Sequence, residues 1–236
     1  MRIVAGIQAR MGSTRFPGKS AANLAGKMVV EHVVDRARKL DVDDIVLLTT
    51  CLPEDNVLAD WAEKRGTDFI REDFHPLQCF YWYYKMAKIY EADYVVRICG
   101  DAPFFDYKTM NIIIKYLRLH ILGSDTVYLS QKIGEIWGIM HRSGMATEII
   151  KADHIYKIME HTTWGLHNSG NSHRFGLNLD PQYFNWKCSV DTPKDLETCQ
   201  YVMDHLGRAP FDYLEIDSVL PDNMKIDGDE LEQKYK

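Results

Sequence analysis

Between Ala9 and Ser20 the sequence gathers three cations, Arg10, Arg15 and Lys19, and two glycines, Gly12 and Gly18. That mixture suits a polyphosphate. A nucleoside triphosphate carries about four negative charges and is held by backbone N–H groups beside fixed cations. Glycine lets the backbone come close to phosphate, Arg can fork two of its oxygens, and Lys acts as a point charge. Two familiar phosphate loops are excluded. A P-loop spaces its glycines by four residues before Lys; here five residues separate Gly12 from Gly18, and one of them is Pro17. The dinucleotide pattern G-x-G-x-x-G is absent. A surface loop with incidental charge would be an odd finding in a chain of net charge −6.

Two aspartates complement the cations. Asp101 follows the apolar run Tyr94 to Cys99, and Asp191 follows Trp186 to Val190. A carboxylate at the carboxyl end of a parallel strand enters the ligand crevice and can hold Mg²⁺, which takes one or two carboxylates together with phosphate oxygens. Either residue alone could simply cap a helix, Asp191 above all, since Thr192-Pro193 comes next. The pair at two strand ends says more than either member. Without a cation between them the two carboxylates are expected to repel. The nine histidines, among them His154, His161, His167 and His173, show no zinc-ligand spacing. Cys79 and Cys99 read as small core residues, and no Ser-His-Asp arrangement has support.

These residues need a scaffold, and the first half of the chain supplies its pattern. Short apolar runs at Ile3 to Gln8, Asp44 to Thr50, Asp68 to Arg71 and Tyr94 to Cys99 read as strands. Helical spacing appears over Met28 to Leu40, Glu54 to Arg65, Leu77 to Tyr90 and Tyr107 to Leu122. Such alternation means βαβ units and a mostly parallel sheet with ligands at the strand carboxyl ends. From Ser124 the rhythm changes. Strand-like pieces at Thr126 to Ser130 and Glu135 to Met140 flank a helix at Ala152 to Glu160, and a polar loop runs from Gly165 to Ser172. We read residues 124–184 as a small inserted arm within one domain, 1–236. A strand at Trp186 to Val190 and a helix at Pro193 to Leu206 restore the pattern. The aromatic run Phe80-Tyr81-Trp82-Tyr83-Tyr84 is expected to pack a helix on the sheet.

Composition narrows the function class. At 236 residues with 46% hydrophobic and 26% charged residues, the chain is ordinary for a globular domain. Its acidity argues against nucleic acid and anionic membranes as partners. The most apolar stretch, Thr109 to Leu122, is short and is broken by Lys115, Arg118 and His120, so no membrane span is expected. Arg10 and Arg15 interrupt any signal-peptide core. Five cysteines without a C-x-x-C favour a reducing, cytoplasmic setting.

The segment Gln8-Ala9-Arg10-Met11-Gly12-Ser13-Thr14-Arg15-Phe16-Pro17-Gly18-Lys19 resembles the opening of the spore-coat polysaccharide biosynthesis cytidylyltransferase family, which is related to the CMP-KDO and CMP-sialate synthetases. The similarity continues at Gly26-Lys27, Glu31-His32-Val33 and Asp35-Arg36. It resumes at Val96-Arg97-Ile98-Cys99-Gly100-Asp101-Ala102-Pro103, at Glu160-His161-Thr162-Thr163 and at Ser189-Val190-Asp191-Thr192-Pro193-Lys194-Asp195-Leu196-Glu197. Two departures stand out. Ala102-Pro103-Phe104-Phe105 replaces the usual Cys-Pro-Leu, and the usual Asp-Arg pair is missing around Gln78 to Trp82.

The resemblance implies a Rossmann-like, GT-A-like nucleotidyltransferase fold and an Mg²⁺-dependent reaction. An NMP group, CTP being the expected donor, would pass to a sugar, sugar acid or sugar phosphate with release of pyrophosphate, in surface-polysaccharide or glycan synthesis. It implies a homodimer formed through the arm. By position, Arg10, Lys19 and Asp101 would be catalytic. Gln8, Ala9, Arg10, Gly12, Ser13, Arg15, Lys19, Arg97 and Asp101 would bind the nucleotide, and Asp101 and Asp191 the metal. Glu148, Glu160 and His161 are candidates for the acceptor, with Arg142 and Arg174 near the pocket mouth. Two alternatives stand beside this reading. One is a GT-A glycosyltransferase, although Gly100-Asp101-Ala102 lacks the second Asp of a D-x-D. The other is a non-catalytic nucleotide-binding member of a glycan pathway.

Overall fold

The computed structural model describes residues 1–73, 79–120, 126–133, 136–137, 148–151, 172–177, 189–207 and 213–224. Its strands are β1 (Ile3–Gln8), β2 (Asn23–Leu24), β3 (Lys27–Met28), β4 (Asp44–Thr49), β5 (Asp68–Arg71), β6 (Tyr94–Cys99), β7 (Thr126–Ile133), β8 (Ile136–Trp137), β9 (Glu148–Lys151) and β10 (Ser172–Leu177). The helices are α1 (Val29–Ala37), α2 (Asn56–Lys64), α3 (Cys79–Ile89), α4 (Tyr107–His120), α5 (Pro193–Leu206) and α6 (Tyr213–Val219).

The central sheet runs in the order β10-β7-β9-β6-β1-β4-β5, with β8 hairpinned onto β7. Strands β6, β1, β4 and β5 are parallel, while β9 enters antiparallel between β6 and β7. The segment expected to form an arm therefore lends β7, β9 and β10 to the sheet itself. Successive strands leave β1 first on one side, through β4 and β5, and then on the other, to β6. The carboxyl ends of β1 and β6 thus flank the topological switch point, where doubly wound sheets open a crevice.

Side-chain alternation builds two apolar layers. Ile3, Ala5 and Ile7 of β1 join Val96 and Ile98 of β6 under Val30, Val33, Val34 and Ala37 of α1, with α2 and α4 on the same face. Those α1 residues recur at the spacing of one helix face, which is why this stretch is helical and why it lies on the sheet. Val4, Val46, Leu48 and Val95 face the opposite way, onto Trp82, Tyr83 and Met86 of α3. The aromatic run does pack a helix on the sheet, through Trp82 and Tyr83. At Gly6 an added Cβ would lie 2.8 Å from Tyr83 and 2.9 Å from Leu48, so α3 lies flush on β1. A third cluster joins α5 and α6 to the β2–β3 hairpin and the start of α1 through Leu24, Val29, Val202 and Ile216.

Two expectations at the helix α5 boundary change. Residues 189–190 are not strand, and 186–188 lie outside the described residues. The N-cap of α5 is Thr192, not Asp191. Its side chain accepts from the Asp195 backbone N–H, and the Asp195 carboxylate accepts from the Thr192 N–H, a closed capping box. The helix expected at Ala152 to Glu160 lies outside the described residues, as does most of the Gly165 to Ser172 loop. No helix among the described residues is long and apolar enough to cross a membrane.

Candidate active site

The loop after β1 is closed on itself around one peptide. The Met11 carbonyl accepts from the N–H groups of Ser13 and Gly18, both at 2.8 Å. Gly18 takes φ 78°, a left-handed conformation that other residues adopt at a cost, and this turn delivers Lys19 into a short 3₁₀ turn, Lys19–Ala21. Ser20, almost fully buried, donates through its hydroxyl to the Arg10 carbonyl at 3.0 Å. Three cations are thereby carried on a loop that its own hydrogen bonds close.

The opposite rim comes from β6 and the entry to α5. Beyond Cys99, the Gly100 N–H donates to the Gln8 carbonyl at 2.8 Å. A Cβ on Gly100 would sit 2.7 Å from that carbonyl oxygen and 2.7 Å from the Ala9 Cβ. Only glycine lets the two strand ends meet this closely, and Asp101 is placed as a result. The Val190 N–H donates to the Asp101 carbonyl at 2.8 Å, which brings Asp191 alongside. The Asp195 carboxylate also accepts from the Asp191 N–H at 3.0 Å, so the α5 capping box fixes the Asp191 backbone. Behind the β6 loop, buried Arg36 donates to the Phe105 carbonyl at 3.2 Å and lies 5.7 Å from the Phe104 ring centre.

Lys19 joins the rims. Its Nζ hydrogen-bonds the Asp101 carboxylate and lies 3.0 Å from Asp191 Oδ1, and Arg15 reaches the same Oδ1 at 2.8 Å. Burial pushes the Lys19 ammonium down, but the charges and hydrogen bonds of Asp101 and Asp191 outweigh it and hold the group above the usual lysine value. The expected repulsion between the two carboxylates is thus relieved inside the protein. The Arg15 pair is largely open to solvent and contributes little to stability. Among the described residues the Arg10 side chain makes no ion pair, which leaves its charge for a ligand.

These groups line one cleft of about 290 Å³. Of the residues expected at the site, Gln8, Ala9, Arg10, Ser13, Arg15, Lys19, Arg97, Asp101 and Asp191 line it. Gly12 does not; a Cβ there would meet nothing within 4 Å. Glu148 sits on β9 directly opposite Arg97 in the antiparallel β6–β9 pair. Arg174 lies on β10. Glu160, His161 and Arg142 lie outside the described residues. Thr14, Ser20 and Gly100, which have no assigned role in the sequence, also line the cleft, and Cys99, expected in the core, packs against it while lining the cleft as well. Thr14 and Ser20 carried a usable signal, being hydroxyl residues inside the cation loop.

A cleft at the switch point of a doubly wound sheet, with cations on one rim and paired carboxylates on the other, defines a nucleotide-handling α/β protein. The chain belongs to the cytidylyltransferase family, whose model matches residues 4–136. It is 26% identical over 215 residues to the spore coat polysaccharide biosynthesis protein SpsF of Bacillus subtilis, covering 86% of this chain and 87% of that protein. Its fold is similar to a cytidylyltransferase from Leptospira borgpetersenii, with a TM-score of 0.80 at 22% identity over 94% of this chain and 95% of that one. A CMP:2-keto-3-deoxy-manno-octonic acid synthetase complexed with CTP matches with a TM-score of 0.69 at 15% identity, over 87% of this chain and 100% of that one. The nucleotidyltransferase fold expected from the sequence is the fold observed.

Proposed function

We propose that the protein transfers a cytidylyl group from CTP to an oxygen of a sugar, sugar acid or sugar phosphate, in surface-polysaccharide or glycan synthesis. The observation that carries this reading is the meeting of Lys19 with Asp101 and Asp191 in the cleft that Arg10 and Arg15 also line. In the step, an acceptor oxygen attacks the α-phosphorus. The bond from that phosphorus to the bridging oxygen breaks, and pyrophosphate leaves with the electron pair. Arg10, Arg15 and Lys19 bind and align the triphosphate and offset charge that builds on it. Among the described residues no histidine lines the cleft. A phosphate acceptor attacks as an anion and needs no base, whereas a sugar or sugar acid hydroxyl gives up its proton to water as the bond to phosphorus forms.

Asp101 and Asp191 suit Mg²⁺ on the chemistry of their donors: two hard carboxylates that already share one cationic partner, the Lys19 ammonium. Among the described residues no third acidic, His or Cys side chain joins them, so phosphate oxygens and water would complete the shell. Bound there, the ion would supply positive charge to the reacting phosphate. Family resemblance further supports a homodimer paired through residues 124–184, and five cysteines without a C-x-x-C support a cytoplasmic setting.

The test is pyrophosphate release. Protein and Mg²⁺ are incubated with each of CTP, UTP, ATP and GTP against a panel of sugar phosphates and ulosonic acids. CTP should give the highest rate with at least one acceptor, and the rate should vanish with chelator. Silence across the panel from folded protein overturns the proposal. A thermal shift driven by a nucleoside diphosphate sugar rather than CTP would point to glycosyl transfer instead.

A further inference from the structure

Outside the cleft, Asp55 is 1% exposed and sits at the N-cap of α2, yet its side chain makes no capping bond. An aspartate there ordinarily accepts from the first turn of its own helix. This one reaches away from it. Asp55 Oδ1 accepts from the Met11 N–H at 2.6 Å, and Oδ2 accepts from the Thr50 hydroxyl. Thr50 in turn accepts from the Leu52 N–H at 3.1 Å. Arg71 braces the same turn, donating to the Thr50 carbonyl at 2.9 Å and to Asn56 Oδ1 at 2.8 Å.

Met11 is the peptide around which the cation loop closes. Its carbonyl gathers Ser13 and Gly18, and its N–H is the one held by Asp55. We infer that Asp55 is a positioning residue for the triphosphate loop: through the Met11 N–H it fixes the loop that carries Arg10, Arg15 and Lys19 against the end of β4. This rests on the nucleotide reading given above. The physical case is independent of any ligand. A buried carboxylate bound to a backbone N–H makes a charge-assisted bond, and removing it strands that N–H. The loop then samples other shapes, and a ligand must repay the cost of restoring the bound one.

Bound triphosphate restores the loop's shape, so the cost of loosening falls on binding and should raise KM more than it lowers kcat. In Asp55→Ala the KM for CTP should rise about 10- to 100-fold, with kcat within about threefold of the parent. Asp55→Asn keeps an oxygen for Met11 and should recover most of that loss. By hydrogen exchange on the free full-length protein, the Met11, Ser13 and Gly18 amides should exchange faster in Asp55→Ala, while β1 amides keep their rank. Thr50→Val, which deletes only the hydroxyl, should move both readouts in the same direction by less, and it decides the matter if Asp55→Ala does not fold. A lower Tm with unchanged KM and unchanged loop exchange overturns the inference, because Asp55 would then serve folding alone. If the parent protein binds no CTP, the nucleotide reading fails, and the exchange comparison still settles whether Asp55 holds the loop.

Discussion

The two rims of the cleft are built in opposite ways. The cation rim is mostly local: within a dozen residues the Met11 carbonyl accepts from Ser13 and Gly18, Phe16 from Lys19 and Arg10 from Ser20, with Asp55 bracing the loop from outside. The carboxylate rim is assembled at long range. Asp101 is placed by the Gly100–Gln8 approach, and Asp191 by the α5 capping box and the Val190–Asp101 bond. A local rim announces itself as a motif. A long-range rim exists only once the sheet and helix α5 are in place, and its parts look like ordinary loop aspartates until then.

The sharpest test of the comparison removes charge from the long-range rim while keeping its shape. Asp101→Asn and Asp191→Asn should each cut cytidylyl transfer by about 100-fold or more, and the double variant should be hardly worse than either single, because the two act as one unit. Since Lys19 and Arg15 already offset the charge of the pair, neither variant should gain stability, and the Tm should drop slightly. Steady-state rates alongside thermal melts check both statements. Nearly full activity in Asp191→Asn would remove it from the site; a capping role no longer offers an explanation, as Thr192 is the cap.

Glycines separate the rims next. Gly100→Ala drives a methyl group into the Gln8 carbonyl and should destabilise the fold by about 1–3 kcal/mol by denaturant titration. Gly12→Ala, with open space around its Cα, should change stability by less than about 1 kcal/mol. A smaller loss follows at the cap. Thr192→Ala should cost about 1 kcal/mol by the same titration and loosen the Asp191 backbone. Equal stability of parent and variant would mean that the capping box does not hold this rim.

The mildest effect is one of pH, away from both rims. The His32 Nε2–H donates to the Leu24 carbonyl at 2.7 Å, and burial holds the imidazole below its usual 6.5 despite that bond. The unfolded chain therefore takes up the proton more readily. Stability attached to the neutral ring is full above about pH 6.5 and is lost as the pH falls through the lowered folded value. Melting curves across this range should show a decline that His32→Gln flattens.

What the sequence made legible follows the same division. The limits of β1, β5, β6 and α5 coincide with the expected ones, because a continuous apolar run or a nearby Pro or Gly marks each. The β2–β3 hairpin has no sequence signature beyond Gly26, since strands of two residues carry no periodicity; its turn places Ala25 and Gly26 at positive φ. Strands β9 and β10 lay in a segment read as an arm, and α6 was not anticipated. Sheet pairing of that kind depends on neighbours far away in the chain. Asp195 was legible in principle, since Thr192-x-x-Asp195 has the spacing of a capping box. Asp55 was not: its sequence context is that of any acidic first turn, and its partner Met11 lies 44 residues away.

The Lys19–Asp191 bond spans 172 residues, and this sets a timetable for the growing chain. Strands β1, β4, β5 and β6 can pair once the first hundred residues have been made, giving the cation loop and the cleft floor. Until helix α5 arrives, Leu24, Val29 and Phe104 lack their apolar cover from Val190, Val202 and Ile216. A nascent or C-terminally shortened chain would thus show a sticky patch beside a half-built site. The segment that brings Asp191 to the cleft also covers this patch, so a chain that escapes chaperones and proteases is one whose carboxylate rim is in place.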